Sequence, residues 1–462
     1  MSEAGAPHAE AAGDGGGLFD GVFARGPVAG QVDDRAMLQA MLDAEAALAR
    51  ASAGAGVIPA AAAAAIAACC DARRFDVAAL GRASAAAGNP VVPLVKALAE
   101  QLPEEAAGHV HQGATSQDVL DTAAALVAHR ALGPLLEDLA AAAGAGAHLA
   151  EAHRGTVLAG RTLLQQAVPV TFGLKAAGWL VGLDETRLRL AEVRRRTLAV
   201  QLGGAAGTLA GFGDRGLEVL AGFAADLGLA EPTVPWHAVR ARPAALAGAL
   251  GACAGVLGKV ARDVVLLAQN EVAEVREGGG AVRGGSSAMP HKRNPVAAVA
   301  VAACTARVPG LVATMLAVMP QEHERAAGGW HAEWEPQREL LRLVGAAASW
   351  CRELLEHLEV DAGRMRANLD AAGGLPLAEA AAAALAGPLG RRRAREAVEL
   401  ASRRAAQERR ALRDVLLESP EVAGRLDGAD LDRALDPAAQ LGAARLLVDR
   451  ALAAHRTTEE QA

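Results

Sequence analysis

The feature that most constrains this chain is a run from residue 243 to about 277 that has no proline after its first position and is rich in alanine, leucine and valine. A helix of about 35 residues would be roughly 52 Å long. Rods of that length need partners to bury their apolar faces, so the run predicts an elongated helical bundle. Composition points the same way. Of 462 residues 52% are hydrophobic, only 2% are aromatic and none is tyrosine, which favours close-packed helices over sheets. The predicted fold class is all-α, in three helical domains. Residues 1–17 read as a disordered polar tail, lacking the basic start and apolar middle of a signal peptide. Residues 18–110 read as an N-terminal domain of short helices, 111–360 as the central bundle of long helices, and 361–462 as a small C-terminal helical domain.

Within this frame, helices are predicted at 33–53, 60–70 and 91–102, the last entered through the turn Gly88-Asn89-Pro90. Asn89 suits that turn without any role toward a ligand. Further helices are expected from residue 116 toward Arg130, after Pro134, from Pro169 to about Leu198, and over 335–360. The most membrane-like run, 296–319, is interrupted by Arg307 and Pro309 and is read as a helix buried in protein, with no membrane partner. A net charge of −7 argues against nucleic acid. The five cysteines form no CxxC pair and read as reduced thiols of a cytoplasmic protein. Nothing among the twelve histidines has metal-ligand spacing, and no metal or cofactor is expected.

The densest chemistry lies in Gly284-Gly285-Ser286-Ser287-Ala288-Met289-Pro290-His291-Lys292-Arg293-Asn294-Pro295, just after the glycine triplet 278–280. Glycines let the backbone turn its N–H groups toward an anion, and Lys292 adds a cation. Such a loop is suited to hold a carboxylate and to set a serine against it; the plainer alternative is a surface turn leading into a helix. A second segment is His111-Gln112-Gly113-Ala114-Thr115-Ser116-Gln117-Asp118. Thr115 and Asp118 have capping-box spacing. Ser116 adds a second hydroxyl at the helix start, a good place for a carboxylate. A third is Gly160-Arg161-Thr162-Leu163-Leu164-Gln165. Gln201 to Thr208 forms a glycine turn, and Gly328-Gly329-Trp330-His331-Ala332-Glu333-Trp334 reads either as part of a site or as a packed corner.

Gly285, Ser286, Met289, Lys292 and Asn294 match every fixed position of Gly-Ser-x-x-Met-x-x-Lys-x-Asn, the signature of the fumarase/aspartase superfamily, which the chain closely resembles. His291-Lys292-Arg293-Asn294-Pro295 looks like the branch that holds adenylosuccinate lyase and bacterial 3-carboxy-cis,cis-muconate cycloisomerase, not the fumarase branch. Gly88-Asn89-Pro90, Gly-Arg-Thr-x-Leu-Gln at 160–165 and the tryptophan segment at 328–334 look like the cycloisomerase family. The resemblance spans residues 18 to about 380, and the remainder carries no recognisable motif. It implies a homotetramer with a shared helical core, whose sites draw on three subunits, and a small polycarboxylate substrate. It implies Ser286 as the proton-transferring residue, with Lys292 and Asn294 stabilising an aci-carboxylate. Thr115, Ser116 and Gln165 would hold substrate carboxylates, and Met289 would line the site. His111 and His291 would either touch carboxylates or serve structure.

Lyases of the superfamily often carry a histidine where this chain has Leu163. Basic leaving groups need a proton donor, whereas a departing or adding carboxylate needs almost none. The departure therefore favours a cycloisomerase (an intramolecular lyase) that converts 3-carboxy-cis,cis-muconate to 4-carboxymuconolactone in protocatechuate catabolism. A lyase that releases fumarate from nitrosuccinate fits Leu163 equally well, and adenylosuccinate lyase fits less well. A non-catalytic structural homologue is opposed by the intact Ser286, Lys292 and Asn294.

Overall fold

The computed structural model describes residues 17–278, 284, 285, 289 and 292–461. Ser286 and His291, and the expected tail apart from Gly17, lie outside the described residues. Two compact units divide the chain: Met1–Leu136, Leu190–Ala254 and Ala303–Ser349 form the first, and Glu137–Arg189, Gly255–Ala302 and Trp350–Ala462 the second.

The architecture is helical, with two small antiparallel sheets of two strands each among the described residues. Asp34–Gly54 starts at Asp33, whose carboxylate accepts from Ala36 N–H at 2.7 Å, a conventional N-cap. Ser116–Ala152 is one helix of 37 residues and contains Pro134, not the two helices expected. The proline removes a backbone donor. Leu132 and Leu135 beside it are fully buried, and Arg194 Nε donates to the His129 carbonyl at 3.1 Å one turn earlier. Packing there outweighs the roughly 3 kcal/mol that an interior proline costs.

Three other expectations are corrected. Pro169 does not open a helix; it lies in the second strand of a hairpin, Val157–Thr162 with Gln165–Thr171, and the helix begins at Phe172. Each strand of a two-stranded hairpin has one edge without a partner, where a missing N–H costs little. The proline-poor run is a helix only over Ala241–Leu267. There the chain turns, with Ala273 at φ 51° and the Gln269 carbonyl accepting from both Val272 and Ala273. Val275–Glu277 then pairs with Leu358–Val360. The helix expected from residue 335 starts earlier, as Gly329–Glu356, and so takes in the tryptophan segment.

Ser116–Ala152, Ala241–Leu267 and Val296–Ala317 are each long and apolar enough to cross a membrane by length and composition alone. In Val296–Ala317 only 33% of the most apolar window is buried within the chain. The C-terminal helices have a core of their own, including Leu385, Val398, Leu412 and Leu416. The arginines of Arg391–Glu408 pair along the helix, Arg392 with Glu396, Arg403 with Glu399 and Arg404 with Glu408. These three of the helix's six arginines are paired on a solvated face.

Candidate active site

In the second unit, the signature segment is pinned by its asparagine. Asn294 donates to the Gly284 carbonyl twice, from its backbone N–H at 2.9 Å and from Nδ2 at 3.0 Å. Gly284 has φ 67°, and a β-carbon there would lie 2.3 Å from the Asn294 carbonyl oxygen, so only glycine closes this contact. The N-terminus of Val296–Ala317 is already occupied: Glu277 accepts from Ala297 and Ala298 N–H at 3.0 and 2.8 Å. The partial positive charge of that helix end is spent on Glu277, leaving Lys292 to supply positive charge nearby. Lys292 is exposed, its backbone N–H closes a turn onto the Met289 carbonyl, and its ammonium has no carboxylate partner among the described residues. Lys292, Met289 and Asn294 line one open cleft of about 1080 Å³, together with Asn270, Glu277 and Val299.

The same unit carries the hairpin. Gly160 sits at the register shift between its strands, where a β-carbon would meet the Val168 carbonyl at 2.6 Å. Arg161 makes two bonds, of 2.8 and 2.7 Å, to Glu274, a fully buried carboxylate that also accepts from Asn368 at 2.9 Å. Thr162 pairs with Gln165 to close the turn. Gln165 is exposed, and Leu163 and Leu164 form the tip.

The first unit holds the hydroxyl pair. Ser116 begins the 37-residue helix and its hydroxyl makes no hydrogen bond among the described residues. Half of the capping box forms: Asp118 accepts from Thr115 N–H at 2.9 Å. The Thr115 hydroxyl accepts from Arg325 Nη1 instead, at 3.1 Å. Asp118, only 1% exposed, also accepts from Gly203 N–H (3.0 Å), Gly204 N–H (2.9 Å) and His237 Nε2 (2.7 Å). One carboxylate thus ties the helix start to the glycine turn at 203–204 and to a buried histidine. Gly203 cannot bear a side chain, because a β-carbon would meet His237 Cε1 at 2.8 Å. Arg325 donates otherwise only to neutral oxygens, those of Gln117, Gly204 and Ala205, so its charge is not cancelled by a carboxylate among the described residues. Two hydroxyls, a helix N-terminus and a guanidinium are groups whose chemistry suits a carboxylate. His111, at φ 60°, is bound elsewhere: Nδ1 lies 2.6 Å from Oε1 of the buried Glu45. Burial pushes its imidazole down, but Glu45 outweighs burial and holds it above the ordinary value.

Beneath lies a buried network. Arg240 is bidentate to Asp121 (2.7 and 3.1 Å) and bonded to both oxygens of Glu333 (2.9 and 2.5 Å). Trp330 Nε1 donates to Asp121 at 2.9 Å. Burial raises the Glu333 carboxyl above the usual carboxylate range, against the pull of Arg240, while the two carboxylates raise Arg240 despite its burial. In the segment 328–334, Trp330 and Glu333 therefore anchor a core, and the packed-corner reading describes them. Sequence reasoning passed over Arg325 and His237. The Thr-Ser-x-Asp spacing was the available signal that Asp118 had more to do than cap.

A helical chain with a lysine-bearing signature segment and a hydroxyl pair at a helix start defines a class. The chain belongs to the fumarase/aspartase superfamily of lyases: a family model described as Lyase matches residues 23–310, and one described as adenylosuccinate lyase C-terminus matches residues 374–451. The second match extends the likeness into the region where the sequence alone offered no motif. Individual relatives are more specific. The chain is 53% identical to 3-carboxy-cis,cis-muconate cycloisomerase of Pseudomonas aeruginosa, over 95% of this chain and 96% of the relative. It is 48% identical to nitrosuccinate lyase of Streptomyces davaonensis, over 94% of each. The crystal structure of the 3-carboxy-cis,cis-muconate lactonizing enzyme from Pseudomonas putida matches with a TM-score of 0.91 and 47% identity, covering 96% of this chain and 99% of that one.

Proposed function

We propose that the chain lactonises 3-carboxy-cis,cis-muconate to 4-carboxymuconolactone in protocatechuate catabolism. One carboxylate of the substrate adds across a conjugated double bond; a C–O bond forms, and the π electrons move into a neighbouring carboxylate as a dianionic aci-carboxylate. Ser286 then gives its hydroxyl proton to the α carbon, and its oxyanion is held by the loop amides until water returns the proton. Lys292 stabilises the charge as it develops, the role in which a single donor is commonly worth about 10²- to 10³-fold in rate. Asn294 fixes the loop through Gly284, Met289 lines the cleft, and Thr115, Ser116 and Gln165 hold the carboxylates, with Arg325 beside Thr115.

The observation that carries the reaction class is a Lys292 with no carboxylate partner among the described residues, on a chain whose hairpin carries leucine, not a titratable acid, at residue 163. The choice of substrate is supported by the relatives of 47 to 53% identity. No metal or cofactor enters the reaction. We further propose a cytoplasmic homotetramer whose sites combine segments of three subunits. The largely unburied apolar face of Val296–Ala317 supports assembly, and the absence of a disulfide among the five cysteines is compatible with a reducing compartment. Mixing inactive Ser286→Ala subunits with inactive Thr115→Ala subunits is expected to restore part of the activity; no recovery would reject shared sites.

The 48% identity to nitrosuccinate lyase favours one rival, a fumarate-releasing elimination that equally needs no strong acid. Proton NMR of the products decides between them. Lactone from the muconate is expected; fumarate from nitrosuccinate with no lactone would transfer the assignment to the lyase.

A further inference from the structure

We infer that Leu163 and Leu164 are specificity-determining residues, an apolar wall for the flat carbon chain of the substrate. This inference rests on the function proposed above. Both leucines have left-handed backbone conformations, φ 50° and 62°. A two-residue hairpin turn demands such angles, and Asn-Gly ordinarily fills it because glycine has no β-carbon and asparagine tolerates the left-handed region, whereas leucine is strained there. Strain of this kind persists where the side chains gain something by it. Within the chain they gain nothing: Leu163 is 97% exposed and Leu164 75%. The base of the hairpin, by contrast, is firmly held by the Arg161–Glu274 pair and by Gln166 donating to the Asn368 carbonyl at 3.2 Å. A braced hairpin thus presents a strained apolar tip.

The position of the tip suggests its occupant. Gln165, assigned above to a substrate carboxylate, follows Leu164 directly and pairs with Thr162 across the turn. A carboxylate bound at Gln165 brings the adjoining carbon chain within reach of the two leucines. Apart from Met289, every group assigned to the substrate is polar or cationic, whereas a muconate has a planar hydrocarbon stretch between its carboxylates. Leucine covers that stretch, excludes water from it and offers no proton, so the tip selects conjugated substrates that react without an external acid.

Two double variants test this in the full-length enzyme. Leu163→Asn/Leu164→Gly relieves the backbone strain and removes the apolar surface; Leu163→Ala/Leu164→Ala removes the surface alone. The first is expected to melt above the wild type and the second close to it. Placed in a Ser286→Ala background, both are expected to bind 3-carboxy-cis,cis-muconate at least about tenfold more weakly by calorimetry than Ser286→Ala alone, with a matching rise in KM when Ser286 is kept. Inhibition by tricarballylate, a saturated and flexible tricarboxylate, is expected to change less than about twofold. Unchanged muconate affinity in both variants would overturn the inference, as would equal losses for muconate and tricarballylate or a loss that accompanies a change in assembly mass. Turnover by the wild type judges the proposed function separately: a wild type that binds the muconate without converting it contradicts that function, while the affinity ratio still decides the role of the tip.

Discussion

The hydroxyl-pair region of the first unit and the signature region of the second are built on opposite plans. Around Thr115 nearly every polar group is spent. Asp118 accepts four N–H bonds, Arg240 is shared by two carboxylates, and Arg325 is held by four oxygens. Around Lys292 the framework is fixed by Asn294 and Glu277, yet the ammonium has no carboxylate partner among the described residues, and Lys292 lines an open cleft. A saturated network holds its shape and resists change. An unpaired charge does little for stability and is available for chemistry. The first region should therefore register mutation mainly as lost stability or binding, and the second as lost turnover.

The largest effect expected is on stability. Arg240→Met leaves Asp121 and Glu333 buried without their cation, which should cost about 3–5 kcal/mol, seen as a lower urea or thermal midpoint. A midpoint within experimental error of the wild type would break the comparison. Next, Lys292→Met should lower kcat/KM about 10²- to 10³-fold with an unchanged melting temperature, since no carboxylate among the described residues is orphaned. Asp118→Asn sharpens the contrast inside the first unit: an amide NH₂ then faces N–H donors, at about 1–3 kcal/mol for each buried group left unsatisfied. KM should rise more than kcat falls, because the hydroxyl pair is displaced while Lys292 is untouched.

The smallest effect is the pH dependence of His111. Its folded value is raised above the ordinary 6.5 by Glu45, so its contribution to stability is complete below about pH 6.5 and is lost as pH rises through the folded value. The wild-type melting temperature should fall relative to His111→Gln as pH is raised above 6.5. A constant difference between the two would mean that the His111–Glu45 contact does not depend on charge.

Much of this was legible in the sequence because it is local. The signature spacing, the Asp118 contact back to Thr115 N–H and the Asp33 helix start are each set by residues within a few positions of one another. Pro134 and Pro169 misled for a related reason. A local rule ends or starts a helix at proline, but buried leucines carry one helix past Pro134, and strand pairing claims Pro169. The Asp118–His237 and Arg240–Glu333 contacts join residues 119 and 93 positions apart, and no periodicity announces such pairs. The turn at Leu163 was equally hidden, since leucine is a residue that a two-residue hairpin turn normally avoids.

The most direct test of the account is the ultraviolet absorbance of 3-carboxy-cis,cis-muconate mixed with purified wild-type protein and with Ser286→Ala. Rapid loss of the diene band with the wild type, abolished in a folded Ser286→Ala protein, is the predicted result. Persistence of the band with the wild type, or near-full turnover by Ser286→Ala, would contradict it.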